Sequence, residues 1–240
     1  MIVKFYRMKK AILLVFTLLI MRLGFAQHVI VSPFAAELSH PELNIDSVAM
    51  YSDSTVFYMT VENKADKGGW FCADKKIYIE NPKTHERIYR RATRGIPVCP
   101  DTYNFKALGE KLSFSLLFPV ISSDLKTINL IEDCDRACFY FKGIILDNKL
   151  NSDIRTFNKG MEYYTANSLD SAIQCFTDVV NYIPDFSTHV YGYAYYHLVV
   201  IYNSKGDSIS AHFWLNQLRA SILPNKDYFI KMIKRDTGLE

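Results

Sequence analysis

The chain has 240 residues, of which 49% are hydrophobic, 14% aromatic and 22% charged. That composition excludes a disordered or low-complexity chain and supplies the apolar material for a sizeable core. Its 28 basic and 25 acidic residues give a formal charge of +3, but five of the basic residues and no acidic one fall within residues 1–26; the remaining 23 basic and 25 acidic residues carry −2, which removes any global electrostatic case for nucleic-acid binding.

Residues 1–26 read as an address. Lys4, Arg7, Lys9 and Lys10 precede a largely apolar run from Ala11 to Met21, and Gly24-Phe25-Ala26 places small residues three before and one before a cut at Gln27. This order is that of a secretory signal peptide. A bilayer-spanning helix needs roughly 20 apolar residues, and Arg22 ends the run well short of that. The expected location is secreted, periplasmic or elsewhere in the cell envelope, with no transmembrane helix in the mature chain.

Residues 27–42 read as an extended lead-in. From about 43 to 147 the hydrophobic period is two: Phe57, Met59 and Val61 alternate with Tyr58 and Thr60, and Leu112, Phe114, Leu116 and Phe118 with Ser113 and Ser115. Such alternation predicts strands with one buried face. Seven runs are expected, near 44–51, 54–62, 70–80, 86–92, 112–119, 127–132 and 138–146. Turn formers separate them, among them Lys67-Gly68-Gly69 and Asn81-Pro82-Lys83-Thr84. Seven short strands so punctuated predict an antiparallel β-sandwich of immunoglobulin-like type, with a closed barrel as the alternative. In an oxidising compartment Cys72, Cys99, Cys134 and Cys138 form two disulfides. Of the three pairings, Cys72–Cys99 with Cys134–Cys138 is favoured, because Cys134 and Cys138 close a small loop between two strand-like runs.

After Asn148 apolar residues recur at three- and four-residue spacing, which predicts helices over 152–166, 169–183, 188–204, 208–222 and 226–236. The domain boundary is expected near 148, with a helical domain over 148–240 and Asn225 capping the last helix. Gly160, Tyr163, Ala172, Phe176, Val179 and Pro184 have a repeat-like spacing, and Tyr195, Val199, Tyr202, Ala211, Leu215 and Leu218 form a weaker second copy. Residues 152–236 therefore resemble a pair of tetratricopeptide repeats with a terminal helix. The expected fold class is thus α+β in two domains, an immunoglobulin-like sandwich followed by an all-α repeat module. Within the β part, Gly95-Ile96-Pro97, Gly109-Glu110, Phe114-Ser115-Leu116-Leu117-Phe118-Pro119 and Leu130-Ile131-Glu132 resemble landmarks of uncharacterised bacterial envelope domains, which implies no activity.

The repeat resemblance implies a groove that holds an extended peptide. By position it would be lined by Ile154, Phe157, Met161, Tyr164, Tyr193, Tyr196, Val200 and Asn203. Phe157 and Met161 stand where a carboxylate clamp would need polar groups. The competing reading is that this aromatic face is covered, by the sandwich packing on the first repeat or by a second copy of the chain. A second cluster, Arg87, Arg90, Arg91 and Arg94, reads either as an anion patch or as a solvated hairpin whose charges discourage edge pairing. On one strand Arg87 and Arg91 would share a face, and Arg90 and Arg94 the other. Cys134 and Cys138 lack the second ligand pair of a structural zinc site, so no metal is expected. Cys175 reads as a small buried hydrophobe. The scattered histidines and the absence of G-x-S-x-G, H-E-x-x-H and G-x-x-x-x-G-K patterns nominate no catalytic residue and no cofactor. These features predict an exported interaction or scaffold protein that binds a protein or peptide and is not an enzyme. The alternatives are a hydrolase with its site at the domain seam and a glycan-binding surface protein using Trp70.

Overall fold

A computed structural model describes residues 28–240, so the signal-peptide reading of residues 1–26 and the cut at Gln27 lie outside the described residues. The chain divides into two compact units that meet between Leu146 and Asp147. Among the described residues no helix is long and apolar enough to cross a membrane.

Among its described residues the first unit contains twelve strands: β1 (His28–Val31), β2 (Glu37–Leu38), β3 (Leu43–Met50), β4 (Ser54–Glu62), β5 (Trp70–Phe71), β6 (Ile77–Glu80), β7 (Arg87–Tyr89), β8 (Ala92–Arg94), β9 (Tyr103–Asn104), β10 (Lys111–Pro119), β11 (Thr127–Glu132) and β12 (Tyr140–Ile145). They form three antiparallel sheets, ordered β1-β3-β4-β10-β8, β2-β12-β11-β6-β7 and β5-β9. The pairing of β4 with β10 shows how the alternation is used. Phe57 faces Leu116, Met59 faces Phe114 and Val61 faces Leu112, all buried, while Thr60 and Ser113 pair on the polar face. Successive side chains on a strand point to opposite faces, so one register sends Phe57, Met59, Val61, Leu112, Phe114, Leu116 and Phe118 inward together, with Val56, Tyr58 and Leu117 on the other face. Both five-stranded sheets contribute to a single core, in which Phe57 meets Phe118 edge to face at 5.5 Å.

Two irregularities bend the sheets. Asp46 is an extra residue in β3 between the Ile45–Met59 and Ser47–Tyr58 pairs, and its carboxylate accepts from Thr60 Oγ1 at 2.7 Å. Gly143 forms a second bulge at φ +64°, where its N–H donates to Asn129 Oδ1 at 2.9 Å. A left-handed residue at a bulge is most readily glycine.

The second unit contains five helices: α1 (Asn148–Thr165), α2 (Leu169–Val180), α3 (His189–Ser204), α4 (Ser208–Ala220) and α5 (Lys226–Thr237). The first begins earlier than its periodicity suggests because Asp147 caps it, accepting from Leu150 N–H at 2.8 Å. Asp207 caps α4 likewise, accepting from Ser210 N–H at 3.0 Å. Asn225 stands at the N-cap position of α5, but its amide reaches His189 Nε2 at 3.2 Å and makes no capping bond.

The expected fold class is corrected. In place of a seven-stranded immunoglobulin-like sandwich and a repeat module, the described residues form a mixed α+β structure with twelve strands in three sheets, followed by five helices. The additional strands are short. β1 and β2 arise from the lead-in, β9 from a loop, and the run 70–80 divides into β5 and β6. The run 86–92 is broken because consecutive amides serve different sheets: Arg90 N–H donates to Ile77 O at 2.8 Å and Arg91 N–H to Leu117 O at 2.7 Å. The helices do not show a tetratricopeptide repeat either. Gly160 lets Phe176 of α2 approach within the first hairpin, whereas its counterpart in the second is the buried, branched Val199, and the glycine of α3, Gly192, lies instead against Phe229 of α5, outside that hairpin. The small residues in the two hairpins thus serve different contacts.

Candidate functional site

Within the β unit, the two-stranded sheet of β5 and β9 fixes one exposed indole. Trp70 pairs with Asn104 and Phe71 with Tyr103. Alternation turns Phe71 inward, against Phe114 at 5.9 Å and Phe139 at 6.4 Å, and leaves Trp70 outward and 55% exposed. The next residue, Cys72, is bonded to Cys99 with Cα atoms 5.4 Å apart. Beyond it Ala73 bridges Val98, donating to Pro97 O at 3.0 Å and accepting from Cys99 N–H at 3.1 Å. Trp70 therefore sits one residue from a core anchor and two from a covalent link, so little backbone freedom remains to it.

A cleft of about 410 Å³ opens beside this small sheet. Segments around residues 40–42, 70–74, 99–102 and 132–137 form its walls, and both disulfides line it. The second disulfide, Cys134–Cys138, holds the 132–137 wall as a tight loop with Cα atoms 5.6 Å apart and Ala137 at φ +56°. The volume lies within the range of small-ligand sites, roughly 300–1,000 Å³.

Glu132 organises the wall. It is buried, and its Oε1 accepts Asp74 N–H at 2.7 Å while Oε2 accepts Phe139 N–H at 3.2 Å. Both oxygens thus hold backbone from segments far apart in sequence. Burial pushes its pKa up, and those two amides oppose the shift. On the opposite side Arg90 Nη2 donates to Asp74 O at 2.8 Å, so the Asp74 peptide is gripped from both ends. Burial lowers the Arg90 pKa, and its Nε is enclosed without a partner. His40 and Glu42 are joined at 3.1 Å. Four carboxylates (Glu42, Asp74, Glu132 and Asp135) stand against one guanidinium, Arg136, in the cleft lining.

The four arginines of the basic cluster do not converge. Arg87 Nε donates to Glu80 Oε2 at 3.2 Å and its guanidinium lies 4.5 Å from the Tyr78 ring centroid. Arg90 is the strut just described, Arg91 reaches Asp53 O at 3.5 Å, and Arg94 pairs through its backbone with Ser115 in the other sheet. The face-sharing expected of one strand fails because the chain changes sheets between Arg90 and Arg91.

In the helical unit the expected groove residues are divided between two clusters. Phe157 and Tyr164 of α1 surround His197 of α3, with ring centroids at 6.2 and 5.0 Å, and Phe176 of α2 stacks on the same imidazole at 5.1 Å. Tyr193 packs on Phe229 at 5.1 Å, and Tyr196 donates to Asp236 Oδ2 at 2.9 Å. Ile154 is buried, while Met161, Val200 and Asn203 are half-buried. The aromatic side chains are therefore largely used on one another. Nearby, Tyr191 is fully buried and donates to Asp153 Oδ2 at 2.7 Å, and Lys149 binds the same carboxylate at 2.6 Å.

Reasoning from sequence marks Trp70 and the Cys134–Cys138 loop but does not join them. Nothing local signals that Asp74 and Glu132, 58 positions apart, share a wall. Among the described residues no group of His, Cys, Asp and Glu is arranged to hold a metal ion. No protein-family model matches this chain, and no curated protein matches it either.

Proposed function

We propose that this is an exported cell-envelope binding protein without catalytic activity, whose β unit receives a partner protein or peptide in the cleft beside Trp70. The carrying observation is the 55% exposure of an indole whose backbone is fixed by a core phenylalanine and a disulfide. A large apolar side chain held rigidly at the rim of a concave site adds contact area with little ordering cost. Two disulfides suit an oxidising compartment, in keeping with the address-like residues 1–26. A binding role also fits Glu132, whose carboxylate oxygens both accept from backbone amides. The helical aromatic face is a weaker candidate because its rings already pack on His197 and Phe229.

The test is capture from envelope extracts by the wild-type protein, Trp70→Ala and Tyr228→Ala. Tyr228 is 53% exposed in the helical unit and serves as a matched control. Loss of a specific partner with Trp70→Ala alone supports the reading. Equal capture by Trp70→Ala and wild type overturns it.

A further inference from the structure

We propose that the cleft takes the cationic side chain of a lysine or arginine carried by an extended basic segment of a partner protein. The proposal rests on the reading of the cleft as the ligand site and adds the chemistry of what enters it. Two separate features favour the same kind of group. The face of an exposed indole attracts an ammonium or guanidinium through the ring quadrupole, over a reach of roughly 6 Å. Trp70 offers such a face at the rim, and its backbone is already held in place.

The second feature is charge. Glu42, Asp74, Glu132 and Asp135 line the cleft against Arg136 alone, with Arg90 behind the Asp74 wall offsetting part of the field. Glu132 spends both oxygens on backbone amides, and Glu42 and Asp74 each use one, on His40 and on Lys76 N–H. Asp135 is exposed and makes no hydrogen bond or ion pair among the described residues. A cation entering the cleft thus meets carboxylate oxygens and an indole face, while the disulfides contribute neutral surface that does not compete. A neutral sugar would need donors as well as acceptors, and Thr102, His40 and Arg136 are the only donor side chains beside the indole in this lining. An extended segment fits better than a free amine, because the cleft volume exceeds what one side chain fills.

The experiment uses the whole protein with Trp214→Phe, which leaves Trp70 as the only indole of the two in the chain. Trp70 emission is titrated with the capped peptide acetyl-Gly-Arg-Gly-Lys-Gly-amide, with its citrulline and norleucine counterpart, and with a neutral N-acetylglucosamine tetrasaccharide. The charged peptide should change the emission saturably and bind about tenfold or more tightly than the uncharged peptide, with the difference shrinking as salt is raised. Asp135→Asn and Glu42→Gln, each checked for native far-UV dichroism, should weaken the charged peptide and leave the uncharged one unaffected. Equal binding of the two peptides, or no response to the charged one, overturns the proposal. A response to the tetrasaccharide alone would reject the cationic ligand but keep the cleft as the site. If no probe responds and Trp70→Ala also leaves envelope capture unchanged, the cleft reading fails with it.

Discussion

Glu132 and His197 are both enclosed titratable side chains, yet they do opposite work. Glu132 satisfies two backbone amides that would otherwise be buried unpaired. Glu132→Ala should therefore destabilise the β unit by about 2–4 kcal/mol, and Glu132→Gln, which keeps one acceptor, by about half as much. Urea unfolding followed through Trp70 checks this; an alanine variant as stable as wild type would show that water or another group replaces the carboxylate. His197 has aromatic neighbours and an Nδ1 without a partner, and burial lowers its pKa from 6.5 to about 4. The unfolded imidazole takes up a proton below about 6.5 while the folded one resists until about 4, so stability falls as pH drops through that window. The loss should be on the order of 2–3 kcal/mol. For Glu132 the sign is reversed: a raised folded pKa gives stability that is present at low pH and lost as pH rises through that pKa. The two effects can be separated because Trp70 reports on the β unit and Trp214 on the helical unit. In Trp70→Phe, the acid-side loss followed through Trp214 should shrink when His197 is replaced by Phe. An unchanged slope would place the acid sensitivity elsewhere.

At the scale of elements, phenylalanine rings packed directly on glycine backbone decide the helical unit. A Cβ added at Gly192 would lie 2.0 Å from Cε2 of Phe229, while one at Gly160 would lie 2.8 Å from Cε1 of Phe176. Gly192→Ala must then displace Phe229, which is almost completely buried, and should cost about 2–4 kcal/mol. Gly160→Ala should cost less, because a smaller movement of the Phe176 ring relieves it. Thermal melts of the two variants test the order, and a milder effect at Gly192 would mean that α5 yields easily. The same scale explains what could be read in advance. β4 and β10 were legible because nine residues of strict alternation bury one face. β2, β5 and β9 have two residues each, too few for any period to appear. The 86–92 run has a strand-like composition throughout. Only the partners of two adjacent amides reveal that it serves two sheets. The start of α1 depended on one capping aspartate outside its hydrophobic pattern.

Across the whole molecule, the cleft depends on topology rather than on any motif. Its walls come from segments separated by tens of residues, brought together by sheet order, two disulfides and one buried carboxylate. Trp70 could be singled out from sequence as the candidate contact residue of a glycan-binding surface. Its acidic surroundings could not be, since Glu42, Asp74 and Asp135 are ordinary surface residues until the fold places them together. The groove expected on the helices illustrates the converse. Its aromatic residues lie on α1 and α3 but in two separate clusters, and nothing in the repeat-like spacing signals that His197, Phe176 and Phe229 occupy their faces.

The claim that Trp70 marks the binding site is tested most directly by hydroxyl-radical footprinting of the protein, alone and with envelope extract, read by mass spectrometry. Trp70 and Tyr228 are comparably exposed, at 55% and 53%, so each acts as the other's reference. Selective protection of Trp70 in the extract, with Tyr228 labelled at its original rate, is the expected result. Unchanged labelling of Trp70 together with protection of Tyr228 would contradict it and move the binding surface to the helices.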